Sequence, residues 1–229
     1  DLPPLRRIEL QAQVVEAVEA AGEDPLPEFA MLCAAMAGCE QLGPQKAWEQ
    51  ADEVIHRLYT GRHFEECIRY CKRILDSDWA DHEARAWAWL RIICCHRRCT
   101  RDGTVHPLSE RLMREYPKTV AARNHTKAAA GWLTAYLRDD DAIELLDRMA
   151  ELHSSDPAFV QQCCQTAARI CQRTGRHDHL ARYVTILKAL AKGDQDVPPG
   201  VRRRCVEDIG WIERTLARVQ NDGKATGAP

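Results

Sequence analysis

Residues 157–192 read PAFVQQCCQTAARICQRTGRHDHLARYVTILKALAK, and the fold turns on how this stretch is read. Pro157 suits the first turn of a helix, where a missing N–H costs nothing, and Gly175 stands where a helix ends on a left-handed residue. Between them, Cys164, Ala167, Ala168 and Cys171 make a stripe of small apolar residues. The remaining face carries Gln162, Gln165, Arg169, Gln172 and Arg173, without one apolar side chain. A second segment, from Asp178 to Lys192, places Leu180, Val184 and Leu187 at helical spacing. One small-apolar stripe and one polar stripe is the pattern a helix needs inside a stack of helix pairs.

Working outward, Thr174-Gly175-Arg176-His177 has an earlier copy in Thr60-Gly61-Arg62-His63, and each copy leads into a segment carrying Arg-Tyr (Arg69-Tyr70 and Arg182-Tyr183). Turn signals fall near Gly61, at Asp102-Gly103, at Asp139 to Asp141 and at Gly175. A second set interleaves with them: Asp78 to Asp81, Pro117, Pro157 and Pro198-Pro199. Each set advances by roughly 37 to 40 residues, the spacing of helix–turn–helix repeats. The resulting map has helices at Leu5–Ala21, Pro27–Leu42, Pro44–Tyr59, His63–Ser77, His82–Cys99 and Pro107–Tyr116. It continues with Thr119–Leu137, Asp141–His153, Pro157–Thr174, Asp178–Lys192 and Pro199–Gln220. Gly22, Gly43, Gly61, Gly175 and Gly193 fall just past helix ends, where a left-handed residue is wanted.

The 157–192 unit resembles the tetratricopeptide-repeat (TPR) family. With Gly175 as that family's turn glycine, Cys164, Ala167, Ala168 and Cys171 land on the packing positions of the first helix, and Leu180, Val184 and Leu187 on those of the second. The unit from Pro44 fits with a one-residue slip, setting Ala51, Val54, Ile55 and Leu58 against Phe64, Cys67, Cys71 and Ile74. Ala129, Ala130 and Leu133, with Ala142 and Leu146, repeat the pattern from Thr119. The His82 unit departs from it through an irregular turn from Thr100 to His106. The likeness covers about residues 44–192 and implies an all-α, right-handed α-α superhelix of antiparallel pairs, with about eleven helices. The expected organisation is a helical hairpin over 1–43, repeats over 44–192, a capping helix over 193–220 and a flexible tail over 221–229.

Composition narrows the function. The 229 residues are 45% apolar, with 32 basic and 34 acidic side chains spread along the chain for a formal charge of −2. Dedicated nucleic-acid or membrane-surface proteins carry a basic stripe instead. The two basic clusters, Arg97-Arg98 with Arg101 and Arg202 to Arg204, are short and lie beside carboxylates, so nucleic acid is not the expected partner. No apolar run reaches the roughly 18 residues of a membrane span. The chain starts at Asp1 with no signal-like apolar segment after it, which leaves a removed leader or an excised fragment as alternatives. The eleven cysteines show no CxxC and no disulfide-type framework. They fit packing roles in a reducing compartment, so a cytoplasmic protein is expected.

Chemistry-bearing patterns are few. Cys67/Cys71 and Cys95/Cys99 are i,i+4 pairs on helices expected to be neighbours, and four thiolates would suit tetrahedral zinc. Against that, Cys67 and Cys71 already occupy packing positions and the tight knuckle turns of zinc sites are missing. Cys95 and His96 point apart as helix neighbours and make no catalytic pair. No nucleophile elbow, P-loop, zincin or dinucleotide-binding pattern occurs. The expectation is a non-enzyme with no cofactor. Trp48, Trp87 and Trp132 read as core, while Trp89, two residues from Trp87, is expected exposed or packed between units.

If the units stack, the TPR resemblance implies a concave surface lined by the first helix of each pair. The polar stripes then name a partner-binding groove: Glu49, Asp52 and His56; Arg85 and Trp89; Asn124 and Lys127; Gln162, Gln165, Arg169 and Arg173. Its charge shifts from acidic to basic, complementary to a peptide or partner protein of opposite gradient. A structural spacer in a larger assembly, and a metal- or redox-responsive regulator using the cysteines, are the two alternatives.

Overall fold

The computed structural model describes residues 3–99, 105–193 and 197–225, with side chains through residue 221. Among the described residues there are eleven α-helices, one 3-10 turn and no strand. The chain divides into two compact units, Asp1–Ala122 and Arg123–Pro229. The first contains α1 (Pro4–Ala20), α2 (Leu26–Ala37), α3 (Gly43–Thr60), α4 (Phe64–Leu75), α5 (His82–Cys99), α6 (Val105–Glu115) and the start of α7 (Val120–Ala135). The second contains the rest of α7, then α8 (Asp139–Leu152), α9 (Pro157–Thr174), the 3-10 turn His177–His179, α10 (Leu180–Lys192) and α11 (Pro199–Ala225).

In the first unit each helix from α1 to α6 packs on the next; in the second the same holds from α8 to α11. Next-but-one helices also touch, α2 on α4, α3 on α5 and α9 on α11. This alternation of neighbour and next-neighbour packing is the signature of helical repeats.

The best-formed repeat shows why the chain folds this way. Asp156 caps α9, its Oδ1 accepting from Ala158 N and Phe159 N at 3.1 Å each, and Pro157 takes the first helical position. At the other end Gly175 adopts φ 73°, so that Arg176 N donates to Cys171 O at 2.9 Å and closes the helix. The earlier copy of this turn closes one residue later. Gly61 is right-handed at φ −71°, and Arg62 takes the left-handed place at φ 65°, with His63 N donating to Leu58 O at 2.9 Å. Gly61 is needed for closeness instead: a Cβ there would sit 2.8 Å from the His63 ring. The one-residue slip of this unit therefore appears in the backbone itself.

Leu137 is a third such closure, at φ 60° and 89% exposed, with Arg138 N donating to Leu133 O at 2.9 Å. Its side chain gains nothing from burial and strains its backbone. Leu137→Gly is expected to stabilise the protein by about 1 kcal/mol, read as an upward shift in the urea midpoint. A lower midpoint would mean the leucine is held by something other than this turn.

The cores follow the stripes. In the first unit Ala51, Val54, Ile55, Cys67, Cys71 and Ile74 are buried together, with Leu58 and Phe64 packed at the edge. In the second, Cys164, Ala167, Ala168, Cys171, Leu180, Val184 and Leu187 are buried. The two Arg-Tyr copies also match in three dimensions. Tyr70 and Tyr183 are each 1% exposed, Tyr70 Oη lying 3.5 Å from Cys33 Sγ on α2 and Tyr183 Oη donating to Asp147 on α8 at 3.2 Å. Each tyrosine thus reaches from the second helix of one pair to the second helix of the pair before it.

Several helix ends differ from the sequence expectation. α2 stops at Ala37 rather than Leu42, because Gly38 caps it and Gly43 N turns back onto Cys39 O at 2.8 Å. α10 begins at Leu180 after the 3-10 turn, not at Asp178. α11 runs to Ala225, past the expected end at Gln220, and the remaining tail residues 226–229 lie outside the described residues. The irregular Thr100–His106 turn falls largely outside them too, at 100–104.

Candidate functional site

α7 and α9 are first helices of adjacent pairs, and in the second unit a cleft of about 400 Å³ lies between them. The Arg123–Asp156 ion pair at 3.0 Å sets its geometry. Because Asp156 Oδ1 caps α9 while Oδ2 takes Arg123, one carboxylate fixes both the start of α9 and the position of α7 against it. Asn124 and Lys127 of α7 and Gln162 of α9 are exposed along the cleft, with Phe159 and Thr166 beside them. Two amides and an ammonium beside an aromatic ring can hydrogen-bond and pair with a polar chain.

Of the expected groove residues, the structure gathers Asn124, Lys127 and Gln162 in this cleft. Others are engaged within the fold. Gln165 Nε2 donates to Asp208 Oδ1 at 2.7 Å, and Arg173 pairs with Asp139 at 2.8 Å, while Arg169 is exposed. In the first unit, Arg85 donates to Ala80 O and Ser77 O, both at 2.9 Å, and so ties down the α4–α5 turn. Trp89 is half-buried against the first core, with the Arg111 guanidinium 4.5 Å over its ring. Glu49, Asp52 and His56 are exposed on α3. Lys46 and Gln45 hold the Glu49 carboxyl below the usual carboxylate range through hydrogen bonds, and Asp52 lies 3.9 Å from Arg91.

The structure does not gather the four cysteines Cys67, Cys71, Cys95 and Cys99 into one cluster. Cys67, Cys71 and Cys95 are buried, but Cys99 is exposed, and among the described residues no group of three or more His, Cys, Asp or Glu is placed to hold a metal ion. Helix register explains it: Cys95 turns into the core and the last turn of α5 carries Cys99 out of it. The neighbouring Cys71 thiol pushes Cys67 up to about 12, and Cys67 in turn raises Cys95. Burial pushes Cys163 and Cys164 up to about 12 and Cys171 to about 11. A thiol raised this far is protonated at neutral pH and is a poor nucleophile or ligand.

Two features have no counterpart in the sequence reading. Asp208 of α11, 3% exposed, accepts from Gln161 at 2.5 Å, Gln165 at 2.7 Å and Trp211 at 3.2 Å, which locks α11 onto α9. A second cleft, of about 440 Å³, opens between α8 and α10 above α9. Leu146 and Cys163 line both clefts. The recurrence of Arg-Tyr at 182–183 was the one signal pointing here, since Arg182 and Tyr183 both bind Asp147.

Helix order, pairwise packing and matched tyrosines define the chain as an all-α helical-repeat protein. No model of a known protein family matches the chain, and no curated protein matches it. Among solved structures it is similar to a de novo designed helical repeat protein, at 15% identity over 95% of this chain and 96% of that one, with a TM-score of 0.29. Among the described residues no helix is long and apolar enough to cross a membrane.

Proposed function

We propose that the chain is a non-enzymatic protein–protein interaction scaffold of the TPR type, and that an extended segment of a partner protein binds along the α7–α9 cleft. The observation that carries this reading is the convergence of Asn124, Lys127 and Gln162 on one cleft of a rigid helical frame. Side-chain amides pair with a peptide backbone in either direction, which suits an extended ligand. The raised thiols of Cys67, Cys163 and Cys164 favour packing over catalysis or redox sensing. With nine of the eleven cysteines buried, a reducing, cytoplasmic setting fits the same reading. In it the repeats continue the TPR-like right-handed stacking, with the outer helices as caps.

The spacer alternative draws support from the ion pairs Arg173–Asp139, Arg182–Asp147 and Arg123–Asp156, which spend surface charge within the fold. A peptide-display selection on the whole chain separates the two. Selected peptides are expected to bind Lys127→Glu and Gln162→Arg at least about tenfold more weakly, a loss of about 1.4 kcal/mol, at unchanged Tm. Failure to select any peptide, or equal binding by both variants, would leave the spacer reading standing.

A further inference from the structure

We infer that the cleft between α8 and α10 is a binding site for a small amphiphilic amine, with an apolar body on the α9 floor and a cationic head at the Glu151 end. The cleft sits on second helices and adjoins the α7–α9 cleft across Leu146 and Cys163, and its case does not depend on the peptide reading. At about 440 Å³ it has the size of a small-molecule pocket. Its floor and walls are apolar: Val160 and Cys163 from α9, Leu146 from α8, Ile186 and Leu190 from α10. α8 and α10 meet through Asp147, Arg182 and Tyr183, and the gap opens beyond that contact. Ala150 and Ala189, where the two helices face the cleft, are too small to fill it.

The far end is bridged. Arg182 pairs with Asp147 at 2.8 Å and Tyr183 donates to the same carboxylate, bridging the two walls. A helix of roughly 10 Å diameter lying along the trough would have to displace this bridge, which favours a small molecule over a partner helix.

Charge selects its head group. Among the described residues that line the cleft, Asp147 and Glu151 on α8 face a single cation, Arg182. Lys188 is turned to Glu213 of α11 at 2.7 Å, and Lys192 does not line the cleft. α8 ends at Leu152 and α10 at Lys192, so both walls bring helix C-termini, with their partial negative charge, to the Glu151 end. The opposing N-terminus of α9 is already covered by the Asp156 carboxylate. Consistent with a negative interior, Asp147 adds to burial in raising the Cys163 and Cys164 thiols.

Three probes of equal length test this on the whole chain by ligand-observed NMR or calorimetry: 4-phenylbutylamine, 4-phenylbutanol and 4-phenylbutyrate. The amine is expected to bind about tenfold tighter than the alcohol, with the carboxylate weakest. Ala189→Trp, an exposed position, should fill the cleft and abolish amine binding with the far-UV spectrum unchanged. Glu151→Gln should bring the amine down to the alcohol's affinity, and being exposed it puts folding at little risk. Equal binding of amine and alcohol, no binding of the amine, or amine binding that survives Ala189→Trp would each overturn the assignment. These results are separable from the peptide reading, whose variants Lys127→Glu and Gln162→Arg lie in the other cleft.

Discussion

Truncating Tyr183 to alanine is expected to lower the unfolding free energy by about 3–5 kcal/mol, the range for deleting a buried aromatic side chain. The ring is 1% exposed and its hydroxyl donates to Asp147 at 3.2 Å, so the substitution removes both core volume and a tie between successive second helices. Tyr183→Phe separates the two contributions. It keeps the ring and should cost only about 1 kcal/mol, because Asp147 retains its Arg182 partner. Burial, with the Asp147 charge added, holds the phenol well above its ordinary value, so it remains a donor throughout the neutral range. Urea unfolding followed by far-UV circular dichroism measures both variants. A loss under about 1 kcal/mol for alanine would show that the site collapses around the gap and that the tyrosine is not a keystone of the repeat.

The second large effect is expected at Asp208. Replacing it by alanine leaves Gln161 Nε2, Gln165 Nε2 and Trp211 Nε1 without their shared acceptor. Gln161 is 1% exposed and cannot turn to water. The expected cost is about 3 kcal/mol, from charge-assisted hydrogen bonds lost and a buried donor stranded. Asp208→Asn keeps the shape but turns an NH₂ toward donors, so it should cost about half as much. Gln161→Leu combined with Asp208→Leu should recover much of the loss, since removing both partners of a buried polar pair is far cheaper than removing one. If the single and double variants lose equally, the network does not hold α11 in the way its geometry implies.

Much of the architecture was legible because its determinants are local. Pro157, Asp156 and Gly175 act on the backbone within a few residues, and the stripes of α9 and α10 follow from helical period alone. Where the reading missed, the cause was a competition that spacing does not record. Arg62 and Leu137 took left-handed positions that glycine would favour. Gln165, Arg173 and Arg85 stand on polar faces, which made them look available, yet each finds a partner 34 to 43 residues away or in the preceding turn. The α8–α10 cleft was invisible for a different reason. It opens beside the point where two helices meet, and the two alanines that line it look like any other helix-forming residue.

Cys163 belongs to both clefts of the second unit. Its side chain, with that of Leu146, is a partition between two rooms, and a thiol is small and deformable. An occupant that presses the partition one way narrows the space on the other side. Were both clefts to take ligands, their occupancies would oppose each other through this wall, and thermodynamic reciprocity would fix the penalty at the same value whichever ligand arrived first. A single cysteine would then let each cleft sense whether the other is filled.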